Sequence, residues 1–201
     1  MRIPTLFLLL TAFLFAEAAE GGKNNLLINS GIEEFTQDGK PNGWSAPEVE
    51  KGSPLHFAVE TMDDSHVLTV RVSDEDTTEL YGYWCQVVKL PGPGIYRLSF
   101  KIRTEDMNFA YWLSNATDKT RSVTVLKVFP ASSGERSKDI IGKFVDAENL
   151  RTFSGKKWQT ISVAVDFGKM DAGSEIAVRI GAMAASAGWI AIDDVVLCKE
   201  K

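Results

Sequence analysis

Between residues 95 and 103 the chain alternates without a break, with Tyr96, Leu98, Phe100 and Ile102 on one side and Arg97, Ser99, Lys101 and Arg103 on the other. A period of two marks a strand with one dry face and one wet face. The same rule sets Leu68, Val70 and Val72 against Thr69 and Arg71. It sets Ile161, Val163, Val165 and Phe167 against Ser162, Ala164 and Asp166, and Ile176, Val178 and Ile180 against Arg179. Less regular segments at 26–29, 57–61, 84–90, 123–129 and 189–197 read as further strands. Loop-forming stretches separate them: Gly39-Lys40-Pro41-Asn42-Gly43, Met62-Asp63-Asp64-Ser65, Pro91-Gly92-Pro93-Gly94 and Asp171-Ala172-Gly173. Many short strands without a long amphipathic helix predict an all-β fold of two packed antiparallel sheets.

A different pattern opens the chain. After Arg2 an apolar run extends from Ile3 to Phe15 and ends at Ala16-Glu17-Ala18, with small residues where a signal peptidase reads them. A spanning helix needs about 20 apolar residues, so the run reads as a cleavable signal peptide over 1–18, cut after Ala18 or Ala19. No other stretch approaches spanning length. The expected product is a secreted or periplasmic protein without a transmembrane segment, whose residues 24–201 form one domain.

Charge narrows the partners. Lys and Arg number 22 against 27 Asp and Glu, with both signs interspersed, which argues against nucleic acid or an anionic membrane as the main partner. Cys85 and Cys198 are the only cysteines. Export permits a disulfide between them, and a buried thiol on a strand is the alternative. The stretch 130–157 is long for a loop yet contains Ile140, Ile141, Phe144, Val145 and Leu150, so it is expected to be partly structured and to cover a sheet edge. Asn115-Ala116-Thr117 is a glycosylation sequon.

In the last strand, Ile190 and Ile192 precede Asp193-Asp194, and Val195 and Leu197 follow, so the apolar positions change parity across the acidic pair. A β-bulge explains such a change. This strand, IAIDDVVL, joins NLLINSGIEE near the start, the PNGW turn ending at Trp44, the WCQVVKLPGPGIYRLSFKIR hairpin and the later GKKWQTISVAV. In that order the set resembles the carbohydrate-binding module superfamily of the family four and nine type. Ser30 and Ile32 replace the glycine and phenylalanine usual in the opening motif. The resemblance implies a jelly-roll sandwich similar to galactose-binding domains, here a stand-alone module, with carbohydrate as partner. It also implies a structural calcium between the first and last strands, matching Glu33 with Asp193 and Asp194, and packing roles for Trp44, Trp158 and Trp189. Without a metal, the two aspartates would accept backbone hydrogen bonds around the bulge.

Sugar rings pack C–H patches on aromatic faces while their hydroxyls need polar partners. Two clusters have that mixture: Tyr81, Tyr83, Trp84 and Gln86, and Phe109, Tyr111, Trp112 and Asn115. Arg71, Arg97, Lys101 and Arg179 stand at outward positions of their strands and could meet hydroxyls or an acidic sugar. His56 and His66, the only histidines, accompany no nucleophile or metal motif, so histidine-dependent hydrolysis is not expected. The expected function is non-catalytic carbohydrate binding. A structural or protein-interaction sandwich is the alternative, with a small glycan-active enzyme using paired carboxylates as a third reading.

Overall fold

The computed structural model describes residues 24–73, 80–105, 123–130, 143–144, 156–184 and 187–201. Residues 1–18, where a signal peptide is expected, the cluster of Phe109, Tyr111, Trp112 and Asn115, and most of the 130–157 stretch lie outside the described residues. Those residues contain nine strands: β1 (Leu55–Met62), β2 (Ser65–Val72), β3 (Leu80–Lys89), β4 (Ile95–Glu105), β5 (Val123–Pro130), β6 (Lys143–Phe144), β7 (Gln159–Asp166), β8 (Glu175–Ala184) and β9 (Gly188–Lys199). They form a six-stranded sheet in the order β1-β2-β9-β4-β7-β6 and a three-stranded sheet in the order β3-β8-β5, and every pairing is antiparallel. The fold is an all-β, two-sheet sandwich, as the alternation requires. Within 130–157, Lys143–Phe144 supplies the short edge strand of the large sheet.

The core lies between the sheets. Tyr96, Leu98, Phe100 and Ile102 of β4 meet Ile190 and Ile192 of β9 and Ile161, Val163 and Val165 of β7, all buried in one cluster with Trp84 and Val88 of β3 and Ile176, Val178 and Ile180 of β8. Each fully buried aliphatic or aromatic side chain of this kind contributes about 1.5–3 kcal/mol. Trp84 spans the layers. Its indole N–H donates to the Thr69 carbonyl of β2 at 3.0 Å, and its ring meets Phe57 of β1 edge-on at 5.8 Å.

Local chemistry fixes the turns. Met62 pairs with Ser65, leaving Asp63 and Asp64 as a two-residue hairpin loop with φ of 52° and 66°. Two positive φ values mark the mirror-image turn whose twist matches that of the flanking strands. The expected bulge is also present: Ser99 pairs with Val196 and Lys101 with Asp193, so β9 carries one extra residue there, and Asp194 takes a φ of 50°.

The segment 26–29 departs from the expected strand. The Leu26 amide donates to the Leu197 carbonyl at 2.9 Å. The Ile28 amide donates to Oε1 of Gln86 at 2.8 Å, and Gln86 Nε2 returns a bond to the Ile28 carbonyl at 3.1 Å. A primary amide thus takes the place of a neighbouring strand, and Asn29, with a φ of 50°, turns the chain away. No helix among the described residues is long and apolar enough to cross a membrane.

Candidate functional site

Alternation along β3 sorts the first aromatic cluster onto two faces. Trp84 and Gln86 are 6% and 3% exposed and point between the sheets, whereas Tyr83, Cys85, Val87 and Lys89 point outward. Trp84 therefore joins the layers and Gln86 secures the N-terminal segment, so neither presents a surface to a ligand. Tyr83 does. The Arg179 guanidinium of β8 lies 4.2 Å from its ring centre, and Gly181, its register partner, carries no side chain. A stacked guanidinium of this sort contributes about 0.5–1 kcal/mol at an exposed site and fixes the ring's orientation.

Arg97 belongs to the opposite side of the molecule. It stands on the outer face of the large sheet, where its Nε donates to Glu200 at 2.7 Å. Arg71 and Lys101 share that outer face, while Arg179 lies on the small sheet. The cysteines are divided in the same way. Cys85 faces outward from the small sheet and Cys198 from the large one, so no disulfide joins them. Burial raises the pKa of both thiols.

The outer face of the large sheet also holds two tryptophans. Trp44 is 4% exposed and packs as expected, but Trp158 and Trp189 are half-buried on the outside. The Trp189 indole N–H donates to Glu105 at 3.1 Å, and the guanidiniums of Arg71 and Arg103 lie 5.2 and 5.8 Å from its ring centre. The Trp158 N–H donates to Asp63 at 2.9 Å, and Asp63 also pairs with Arg103 at 3.4 Å. Arg71 grips Glu60 through two bonds of 2.6 and 2.5 Å. That contact chiefly holds the Glu60 carboxyl below its usual range, as Lys156 does for Glu105.

At the seam between the chain's beginning and end, two of the three expected calcium ligands converge. Ser65 Oγ lies 3.3 Å from Glu33 Oε1 and 3.2 Å from Asp193 Oδ2, with the His66 carbonyl at 3.4 Å. The hydroxyl has one proton for these three acceptors, and other donors serve the carboxylates: the His66 amide donates to Glu33 Oε1 at 3.0 Å, His66 Nδ1 lies 2.7 Å from Glu33 Oε2, and the Asp194 amide donates to Asp193 Oδ1 at 2.7 Å. Burial raises the Asp193 pKa, with Asp194 repulsion adding to it, and hydrogen bonds from His66 lower that of Glu33. Asp194 does not join them. It turns to Lys101 at 2.6 Å, and among the described residues no three His, Cys, Asp or Glu side chains are grouped to hold a metal. Glu33 and Asp193 thus meet at Ser65, while Asp194 is drawn away to Lys101.

No family model matches the chain, and no curated protein sequence matches it. Solved structures do. A Bacteroides thetaiotaomicron protein named as a candidate sugar binder aligns with a TM-score of 0.57 at 13% identity, covering 88% of this chain and 100% of its own. A family 4 carbohydrate-binding module aligns at 0.55 and 16% identity, over 87% of this chain and 99% of its own. A family 61 module in complex with β-1,4-galactotriose aligns at 0.51 and 18% identity, over 88% and 99%. At these identities the likeness is one of fold, and the fold of this chain is the jelly-roll sandwich found in carbohydrate-binding modules.

Proposed function

We propose that the protein is exported and binds carbohydrate without transforming it, through the outer face of the small sheet around Tyr83 and Arg179. The observation that carries this reading is the Tyr83 ring, kept on the surface and held by a cation from the next strand, on a fold shared with sugar-binding modules. A ring fixed in this way offers a π-face for sugar C–H groups, and guanidinium N–H groups donate to hydroxyls. Tyr111, Trp112 and Asn115 belong to the proposal through connectivity: their segment links Glu105 of β4 to Val123, where β5 joins this sheet. Export rests on the leader at 1–18.

Affinity electrophoresis through β-1,4-galactan, xylan and mixed-linkage glucan tests the reading. The wild type is expected to be retarded by at least one of these, galactan being the first to try because the family 61 module holds galactotriose. Tyr83→Ala and Trp112→Ala are expected to weaken that retention by about tenfold or more, the usual loss for an aromatic anchor. Unretarded migration in every gel, with calcium present, sinks the proposal, and release of reducing ends from any of the polymers sinks its non-catalytic half.

Calcium is part of the same proposal, held by Glu33 and Asp193 with Ser65 Oγ and the His66 carbonyl. It would place positive charge between the two carboxylates and tie Glu33 to the last strand. A ligand at 100 times its Kd stabilises by about 2.7 kcal/mol. Thermal melts in saturating calcium are therefore expected to rise by about 5–10 °C over melts in chelator, and Asp193→Asn is expected to erase the difference. Coincident wild-type melts in the two buffers count against the metal.

A further inference from the structure

We propose that the outer face of the large sheet, centred on Trp189, is a second carbohydrate surface and takes a neutral glycan chain, a step that rests on the sugar-binding reading above. Register places the elements side by side. Arg71 of β2 and Glu105 of β4 both pair with Trp189 of β9, and Arg103 of β4 pairs with Ala191 one outward position along. The side chains above this row are cross-fixed. Glu60 takes both bonds from Arg71 and a third from the buried Thr69 hydroxyl, Asp63 holds Arg103 and the Trp158 N–H together, and Glu105 holds the Trp189 N–H and Lys156. Two half-buried indoles are thereby locked by their N–H groups in a surface that needs no ordering when a ligand arrives, which lowers the entropic cost of binding.

Charge decides the class of ligand. Among the described residues the cluster's cations are Arg71, Arg103 and Lys156, and they pair with Glu60, Asp63 and Glu105 respectively. Among the described residues around Trp189, these three pairs leave no net charge. A uronate or sulfated sugar would have to displace a carboxylate already seated on its cation, and a cationic ligand would meet the guanidiniums. A hydroxyl both donates and accepts, so a neutral sugar can add to carboxylates and guanidiniums without breaking their pairing. Exposed ion pairs contribute only about 0–1 kcal/mol each, so fold stability gives little reason for fixing six charged groups around two tryptophans on one face. Because this face and the Tyr83 face lie on opposite sheets, one module could bridge two chains.

Proton–nitrogen correlation spectra resolve this, since each indole N–H gives its own peak and Trp158→Phe and Trp189→Phe identify two of them by loss. Titration with β-1,4-galactotriose, xylotriose and cellotriose is expected to shift the Trp158 and Trp189 indole peaks with at least one sugar. The shift should persist in Tyr83→Ala and with added salt, while trigalacturonate leaves both peaks in place. Neutral sugars that move only the amides around Ala177 and Arg179 overturn the second surface and leave the sugar-binding reading standing. A larger response to trigalacturonate overturns the neutral class, and spectra unchanged throughout by every sugar overturn both readings.

Discussion

Trp84→Ala is expected to cost about 3–5 kcal/mol of stability, the range for emptying a fully packed aromatic site, and to lower the melting temperature by about 6–20 °C. Three losses combine. The indole fills the space between the layers at 6% exposure, Phe57 loses the ring it meets edge-on, and the Thr69 carbonyl loses its donor at 3.0 Å. Trp84→Phe restores part of the volume but leaves that carbonyl short of a bond, at about 1–3 kcal/mol. One residue earlier, Tyr83→Ala removes an outward ring held by Arg179 and is expected to cost under about 1 kcal/mol, in line with surface substitutions and exposed cation–π contacts. Urea melts of the three variants check the contrast. A Trp84→Ala protein as stable as the wild type, beside a collapsed Tyr83→Ala, would place the two side chains on the wrong faces.

That pair of neighbours also shows what sequence could and could not reveal. Period two located β2, β4, β7 and β8, less regular apolar segments bounded by turns located β1, β3, β5 and β9, and the parity change around Asp193-Asp194 located the bulge, because alternation and its interruption follow from the geometry of the backbone itself. Applied strictly to β3, the same rule separates Tyr83 from Trp84 and Gln86; grouping them by residue type concealed it. Trp189 carried a usable signal too. It stands out of phase with Ile190 and Ile192, which places it on the wet face rather than in the packing role its motif implies. The strand expected at 26–29 failed for a different reason, since both backbone hydrogen bonds of Ile28 go to the Gln86 side chain, and nothing local announces a partner 58 residues away. Sheet membership was equally hidden. Arg97 and Arg179 occupy similar outward positions in similar strands, and only the long-range pairing of β4 with β9 and of β8 with β3 sends them to opposite sides. Convergence of Glu33 and Asp193 on Ser65 follows from ordering the chain ends against the same sheet, which the terminal motifs foreshadowed, whereas the Lys101 contact that draws Asp194 away depends on the β4–β9 register.

Gly181→Ala is expected to be as damaging as the loss of a core tryptophan, although it adds a single methyl group. A Cβ built at residue 181 would lie 1.9 Å from the Gly82 carbonyl oxygen and 2.4 Å from the Tyr83 Cα, both backbone atoms of β3. Side-chain clashes relax by rotation. These relax only if β8 moves away from β3, and β8 is the central strand of the small sheet, so its ladders to β3 and β5 would both be disturbed. Overpacking in a tight site costs about 1–3 kcal/mol, and a clash with the backbone of a central ladder falls at or above the upper end, a fall of about 6–12 °C in melting temperature. The damage should be local to the small sheet, so hydrogen exchange is expected to accelerate at the amides of β3 and β8 while those of β4 and β9 stay protected. Gly173 provides the control, since a Cβ there meets nothing within 4 Å, and Gly173→Asn, a residue that tolerates its φ of 83°, should melt within about 1 kcal/mol of the wild type. If Gly181→Ala exchanges and melts like that control, β8 does not approach β3 as closely as the structure has it, and the setting of Tyr83 beside Arg179 has to be redrawn.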